Sequence, residues 1–449
     1  MKEKLCKPVN LNNIGIFNSN MPVVEVVDAM VGAGKTSWAI EEMNKNSDKP
    51  YIFVTPYLDE VDRILEKCPH FEAPEKNNYK ESKLANIKNL LLNGKSIVTT
   101  HSLFKGFDQE CYELIEDNGY RLILDEVITT VKIFKEDSQD IEILKDAGRI
   151  SVDPVTNEIR WLDMEYNAKK FKSFMKSVLK GNVYLVQLSG GNYIVAWEMP
   201  VEKFVHFSEV TILTYLFEGQ EMSAYFKINH IPYILYSLDE KGNRIPYDKR
   251  TENREAWKNL IKVYDGKMNN NYLEKNAKCP ICKKSKCNCN TKLSASWYKD
   301  KKRNSAGIAQ INKNLANFFK RYATGGTKVS MWSCYKENIY DLCNNYCNDD
   351  KVKNSNFISF NARATNDYRD RYNLAYVINV YANPVVVQYF KGMCSDEDFD
   401  TIFNQDLYAV STLIQWLGRS AIREQEGVYL YLPSARMRDL LEKWINYEL

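Results

Sequence analysis

The 449-residue sequence predicts an α/β protein built from two parallel-sheet units in tandem, with a basic, cysteine-rich insertion between them. Three observations carry that expectation. Apolar, strand-like runs alternate with amphipathic helical segments over 21–219, the alternation resumes over 328–449, and the stretch between them holds the densest positive charge of the chain. Alternation of this kind builds a parallel sheet, whose ligands gather beyond the C-terminal ends of its strands. The boundaries that follow are 1–219 for the first unit, 220–327 for the accessory insertion with its Cys cluster and 328–449 for the second unit.

The first unit opens on an apolar run, Val23, Val24, Val26 and Val27, that leads into DAMVGAGKTS over residues 28–37. Gly32, Ala33 and Gly34 allow the backbone to curl so that several N–H groups converge on a phosphate, at the N-terminus of the helix that follows. Lys35 then places its ammonium on the β and γ phosphates, the Thr36 hydroxyl holds Mg²⁺, and Ser37 continues the helix N-terminus around the nucleotide. ATP and Mg²⁺ are the cofactors this implies. A strict P-loop has glycine where this chain has Ala29, and the competing reading is a glycine turn followed by a chance Lys-Thr pair.

Two further strand–turn–helix segments follow. YIFVTPYLDEVDRIL turns at Thr55-Pro56, and KSIVTTHSLFKGF ends its strand at Thr99, Thr100 and His101. Next, YRLILDEVITT is an apolar strand closed by two carboxylates. Asp125 fits a second Mg²⁺ ligand, and Glu126 is positioned to polarise the water that attacks the γ-phosphate. The alternative is a solvated acidic pair. In the second unit KVSMWSCYKENIYDLCNN reads as strand then helix, NFISF and LAYVINVYANP as strands, DLYAVSTLIQWL as a helix and GVYLYLPSARMRDLLEKWI as strand then helix, with no second P-loop.

Composition narrows the function classes. No stretch approaches the ~20 apolar residues of a membrane helix, and MKEKLCKPVNLNN lacks the apolar middle of a signal peptide, so a cytoplasmic protein is expected. Eleven cysteines, an odd number in a long chain, point to reduced thiols or metal rather than a disulfide framework. The formal net charge of +3 hides an asymmetry: residues 267–328 carry fifteen Lys or Arg against Glu274 and Asp300, leaving 46 basic and 56 acidic residues elsewhere. Such a segment suits a polyanion, since cations that replace condensed counterions gain their release entropy; the alternative is a solvated Lys/Asn-rich linker. Within it, CPICKKSKCNCN supplies Cys279, Cys282, Cys287 and Cys289, two pairs able to close on one structural Zn²⁺, or else unligated thiols. Lysines around them face phosphates in this reading, and Trp297 and Tyr298 are available to stack on bases.

Near the C-terminus stands LIQWLGRSAIREQEG, in which Gln415, Gly418, Arg419 and Arg423 resemble motif VI of the superfamily 2 helicases. GAGKT, Thr55-Pro56, Thr99–His101 and DEVI fall in that family's order as motifs I, Ia, Ib and II, and NARATNDYRDR is similar to motif V. The likeness spans roughly 21–219 and 328–449 and is nearest to DNA helicases encoded by tailed bacteriophages. It implies two tandem RecA-like domains with ATP between them, and catalytic roles for Gln415, Arg419 and Arg423 beside Lys35 and Glu126. It also implies a grip on single-stranded DNA through Thr55, Pro56, Thr99, Thr100, His101, Arg363, Thr365 and Asn366, and a place in the host cytoplasm. ILTYLFEG, where motif III belongs, departs from the Ser-Ala-Thr form, and Arg423 lies eight residues after Gln415 where most relatives have seven. A viral DNA-packaging motor would share the P-loop and carboxylates but needs a nuclease with clustered acids. A nucleoside kinase would end after about 200 residues. A scaffold with ATP as a switch would bind nucleic acid without turnover.

Overall fold

The strands of a parallel sheet are covered on both faces and therefore read as continuous apolar runs. Tyr51–Thr55 is buried at every position, and Val24–Asp28 and Ser96–Thr100 at all but one each. In the computed structural model, which describes residues 21–75, 82–188, 191–269, 292–342, 356–361, 367–393 and 399–449, these strands belong to the larger of the two parallel sheets. The chain divides into two compact units, one of Met1–Ala29, Gly34–Pro246 and Asn383–Asn404, the other of Met30–Ala33, Tyr247–Ala382 and Gln405–Leu449.

The first unit's strands, in chain order, are β1 (Val24–Asp28), β2 (Tyr51–Thr55), β3 (Phe71–Glu72), β4 (Ser96–Thr100), β5 (Arg121–Asp125), β6 (Val131–Asp137), β7 (Ile150–Val152), β8 (Ile159–Trp161), β9 (Val183–Gln187), β10 (Tyr193–Glu198), β11 (Glu209–Thr214), β12 (Tyr233–Leu238) and β13 (Arg244–Pro246). The main sheet has the order β13-β12-β1-β11-β5-β2-β4-β3. All of its pairs are parallel except that of β13 with β12. Between β1 and β5 lies β11, which returns to the sheet only after the chain has built a separate piece from 126 to 208. That piece is a three-stranded antiparallel sheet, β6-β10-β9, with the ribbon β7-β8, and Ile141, Leu144, Trp161, Phe171 and Phe174 form its own apolar cluster. The segment 383–404 contributes the helix Pro384–Met393, which packs on β6, β9 and the helix Glu221–Ile228.

The second unit holds β14 (Ile261–Val263), β15 (Ser330–Ser333), β16 (Asn373–Tyr376) and β17 (Val428–Tyr431) in the order β14-β17-β16-β15, all parallel. The two parallel sheets expected from the sequence are thus both present. The region 220–327, read from sequence as accessory, supplies strands to both: β12 and β13 extend the larger sheet and β14 opens the smaller one. Its described C-terminal part is an amphipathic helix, Lys301–Asn317, capped by the Asp300 carboxylate, which accepts the Arg303 N–H at 3.2 Å. Ile308, Ile311 and Leu315 enter the unit's core while Lys301, Lys302 and Arg303 stay exposed; each buried aliphatic contributes about 1.5–3 kcal/mol. Tyr298, expected to face bases, is instead a core residue with no exposed surface, and its hydroxyl donates to the Val377 carbonyl at 2.9 Å. Among the described residues no helix is long and apolar enough to cross a membrane.

Candidate nucleotide-binding site

The turn after β1 has the conformation that its glycines permit. Gly32 and Gly34 have φ of 87° and 86°, in the left-handed region that side chains with a Cβ rarely adopt. Gly34 caps the helix Lys35–Lys45 and, having no side chain, supplies no cap acceptor to the N–H groups of the first turn. That is the arrangement in which a helix N-terminus holds an anion. Lys35 reaches back to donate from Nζ to the Ala29 carbonyl at 2.6 Å, folding the loop over its own start. Thr36 is half-buried and Ser37 exposed, its hydroxyl accepting from the Arg63 guanidinium at 3.3 Å.

Strand register gathers the polar groups on one edge. Asp28 pairs with Thr214, Leu213 with Asp125, and Thr55 with Thr100. The ends of β1, β11 and β5 are tied further, Ala29 N–H donating to the Thr214 carbonyl at 3.2 Å and Glu126 N–H to the Leu213 carbonyl at 2.9 Å. Asp28 is buried and accepts the N–H groups of Leu216 and Phe217 at 2.7 and 2.8 Å, which fixes the loop leaving β11. Thr55 donates its hydroxyl to Asp125 Oδ2 at 3.2 Å. Burial first, then the charges of Glu126 and Glu60, push the Asp125 carboxyl up to about 7, against the pull of Lys35 and the Thr55 hydroxyl. A carboxyl held that high by burial and by neighbouring negative charge ionises once a cation sits beside it, so the donor set of Thr36, Asp125 and Lys35 fits a magnesium–nucleotide complex.

Glu126 has φ of 66°, left-handed backbone for a side chain that is neither glycine nor asparagine. The Thr214 hydroxyl donates to its Oε2 at 3.4 Å. Backbone strain of this sort persists only where the surroundings over-determine it, and it concentrates at working sites. Sequence reasoning singled out Asp125 and Glu126 but not the Thr214 contact, Asp28 or Glu60, which have no motif of their own.

The other expected residues are placed as follows. Thr55 and Thr99 are 0% and 2% exposed, so their hydroxyls lie inside the sheet, whereas Pro56, Thr100 and His101 are half-buried at its edge. His101 Nε2 lies 2.9 Å from the Asp125 carbonyl, linking that edge to the carboxylate pair. In the second unit Gln415 is half-buried on the helix Gln405–Leu417, Arg419 is 6% exposed, and Arg423 is half-buried in the short helical turn Ala421–Glu424. Arg363, Thr365 and Asn366 lie outside the described residues, as do Cys279, Cys282, Cys287 and Cys289. Cys68, Cys111 and Cys334 are buried thiols.

A model of the YonV C-terminal Rossmann-like domain matches residues 255–445. The sequence is also 30% identical over 442 residues, 95% of this chain and 99% of the relative, to the SPbeta prophage-derived uncharacterized protein YonV of Bacillus subtilis (strain 168). The chain belongs to the YonV family. The YonV domain match takes in all four strands of the smaller sheet, β14 to β17, and ends on the last residue of the helix Ala435–Ile445. Among solved structures the chain is similar to one described as "Structure of S. tokodaii Xpd4", with 12% identity, a TM-score of 0.49 and coverage of 98% of this chain and 97% of that one. A second, "XPD_Helicase", matches at 12% identity and a TM-score of 0.44 with the same coverage.

Proposed function

We propose that this protein is an ATP-dependent translocase of nucleic acid, with single-stranded DNA as its track and strand separation as the output. The observation that carries the reading is Glu126: a carboxylate held in left-handed backbone at the end of β5, braced by Thr214 and adjacent to Asp125, on the same sheet edge as the P-loop. In this reading the first-turn N–H groups of Lys35–Lys45 and the Lys35 ammonium bind the phosphates. Thr36 and Asp125 hold Mg²⁺, and Glu126 orients the attacking water. ATP supplies the phosphoanhydride whose hydrolysis drives the cycle. Gln415, Arg419 and Arg423, all carried by the second unit, complete the catalytic set of this reading, and Arg419 is the buried one of these three side chains.

Pro56, Thr100, His101, Arg363, Thr365 and Asn366 grip the strand, with Thr55 and Thr99 supporting them from inside the sheet. Cys279, Cys282, Cys287 and Cys289 hold one Zn²⁺ in an accessory element within 220–327. The test is turnover measured with and without single-stranded oligonucleotides, followed by strand displacement on DNA and RNA duplexes with opposite overhangs. Stimulation that disappears in Glu126→Gln supports the reading; turnover indifferent to nucleic acid refutes it.

A further inference from the structure

Within the first unit, a cavity of about 810 Å³ lies between the loop that follows the short helix His101–Phe104 and the inserted antiparallel sheet. None of its lining residues belongs to the P-loop or the Asp125–Glu126 pair. Its lining includes three aromatic side chains, Tyr112 from the helix Gln109–Asp117, Phe134 from β6, with Lys132 Nζ 4.9 Å from the centre of its ring, and Trp197 from β10. Around them stand four ammonium groups, those of Lys105, Lys132, Lys180 and Lys203. The two acids at the rim offset them only in part: Asp108 is already engaged by Lys88 at 2.8 Å and by the Cys111 N–H, which leaves Glu202. Lys132, Lys180 and Lys203 have no acidic partner among the described residues.

Lys203 is the most telling of them. Its Nζ lies 5.5 Å from the centre of the Tyr112 ring and 3.5 Å from the Lys105 carbonyl. Burial, and then the charge of Lys105, push its pKa down to about 8. A half-buried ammonium beside a second, exposed one, over an aromatic face, is placed to receive an anion that carries a flat apolar group.

We propose that this cavity binds one nucleoside phosphate, its base against Trp197 and Phe134 and its phosphate on Lys203, Lys105 and Lys132. The chemistry is shared by a free mononucleotide and by one unit of a single strand. The strand source rests on the translocase reading above, because Lys105 follows by four residues the His101 that this reading puts on the nucleic-acid backbone. Stacking on aromatic faces is tolerant of sequence, and lysines neutralise phosphates without reading bases.

The experiment measures binding of a ten-residue oligothymidylate and of thymidine monophosphate to the full chain without ATP, at several salt concentrations. The proteins compared are the natural one, Lys203→Ala with Lys132→Ala, and the exposed charge reversal Lys132→Glu. The lysine variants should bind at least tenfold more weakly, with a salt slope lower by about one per lost contact, while thermal midpoints stay within about 2 °C. Ligand should quench tryptophan fluorescence in the natural protein and not in Trp197→Phe. Oligomer binding that the lysine changes leave within twofold overturns the pocket and spares the translocase. Binding of the mononucleotide alone assigns the pocket to free nucleotide and counts against the strand reading. Binding of neither ligand overturns the pocket.

Discussion

Replacing Glu126 by glycine should leave the protein more stable than replacing it by alanine, although both lose hydrolysis. The comparison isolates the backbone. Both variants remove the carboxylate beside Asp125 and the long 3.4 Å contact with Thr214, so those terms cancel. What differs is the φ of 66° at that position. A side chain with a Cβ costs about 1–2 kcal/mol there, and glycine recovers that strain while adding about 0.5–1 kcal/mol of unfolded-state entropy. The net advantage of glycine is therefore about 0.75 kcal/mol, at the centre of a range of about 0–1.5 kcal/mol, equivalent to roughly 2–3 °C in thermal midpoint for a unit of this size. At an ordinary helical or extended position the sign would be reversed, and alanine would be the more stable by about 0.4–1 kcal/mol.

The assay is thermal unfolding of the two variants at one pH, with turnover measured on the same samples. Loss of a positioned proton acceptor should cut turnover by about 10²–10⁴ in each. A glycine variant that melts at or below the alanine variant refutes the strain argument. Near-normal turnover in either one moves the hydrolytic role away from Glu126.

Four further outcomes are expected. Lys35→Ala should weaken ATP binding at least 100-fold by calorimetry, because it removes the cation of the phosphate cradle; near-native affinity would remove the P-loop reading. The folded protein holds a proton on Asp125, pushed from 3.8 to about 7, that the unfolded chain gives up, so this contribution to stability is complete below about pH 4 and is lost as pH rises through 7. Asp125→Asn should flatten the corresponding fall in thermal midpoint in magnesium-free buffer between about pH 4 and 7, and an unchanged fall would count against it. Protein purified without chelator should contain one equivalent of zinc, lost in Cys279→Ser with Cys282→Ser; less than about half an equivalent in the natural protein excludes the site. Arg423→Ala should keep ATP affinity within a few-fold while stimulated turnover drops about 10³-fold, and survival of turnover there with collapse only in Arg419→Ala would leave Arg419 as the sole arginine acting on the phosphate.

The parts of the site legible in the sequence are those built by neighbours in the chain. A strand, a glycine turn and a helix with Lys35 at its start are consecutive, so the loop over 28–37 is visible in any reading of periodicity and glycine placement. Asp125 and Glu126 end an apolar run and are visible for the same reason. The brace around them was not legible, because Thr214 and Glu126 are 88 residues apart and Asp28 and Leu216 are 188 apart. Only strand order brings them together, and nothing local records that β11 rather than β5 lies beside β1. Within the inserted piece from 126 to 208, the ribbon strands β7 and β8 are three residues each, too short to show a period. Tyr298 was misread because charge density was taken for exposure. Helical spacing decides it: Ile308, Ile311 and Leu315 lie on one stripe of Lys301–Asn317 and enter the core that Tyr298 shares, while Lys301, Lys302 and Arg303 gather in the exposed first turn.

The same distinction governs the arginines near the C-terminus. Counting residues along an unbroken helix turns each one by about 100°, and on that count Arg423 at eight residues after Gln415 would face away from the position it has in the commoner seven-residue spacing. The helix does not continue that far. It ends at Leu417, and Ser420 takes an extended conformation, φ −82° and ψ −170°, with its hydroxyl donating to the Leu417 carbonyl at 2.6 Å. A new turn then starts at Ala421 with Arg423 inside it, and the Ala421 N–H is tied to the Arg371 carbonyl at 3.0 Å. The direction of Arg423 is therefore set by where Ser420 restarts the chain and by Arg371, not by its distance from Gln415. Arg419, in the break itself, keeps its N–H on the Trp416 carbonyl at 3.2 Å and is drawn into the interior. An extra residue at this point changes the loop between the two arginines, so their spacing along the sequence does not by itself set which way either side chain points.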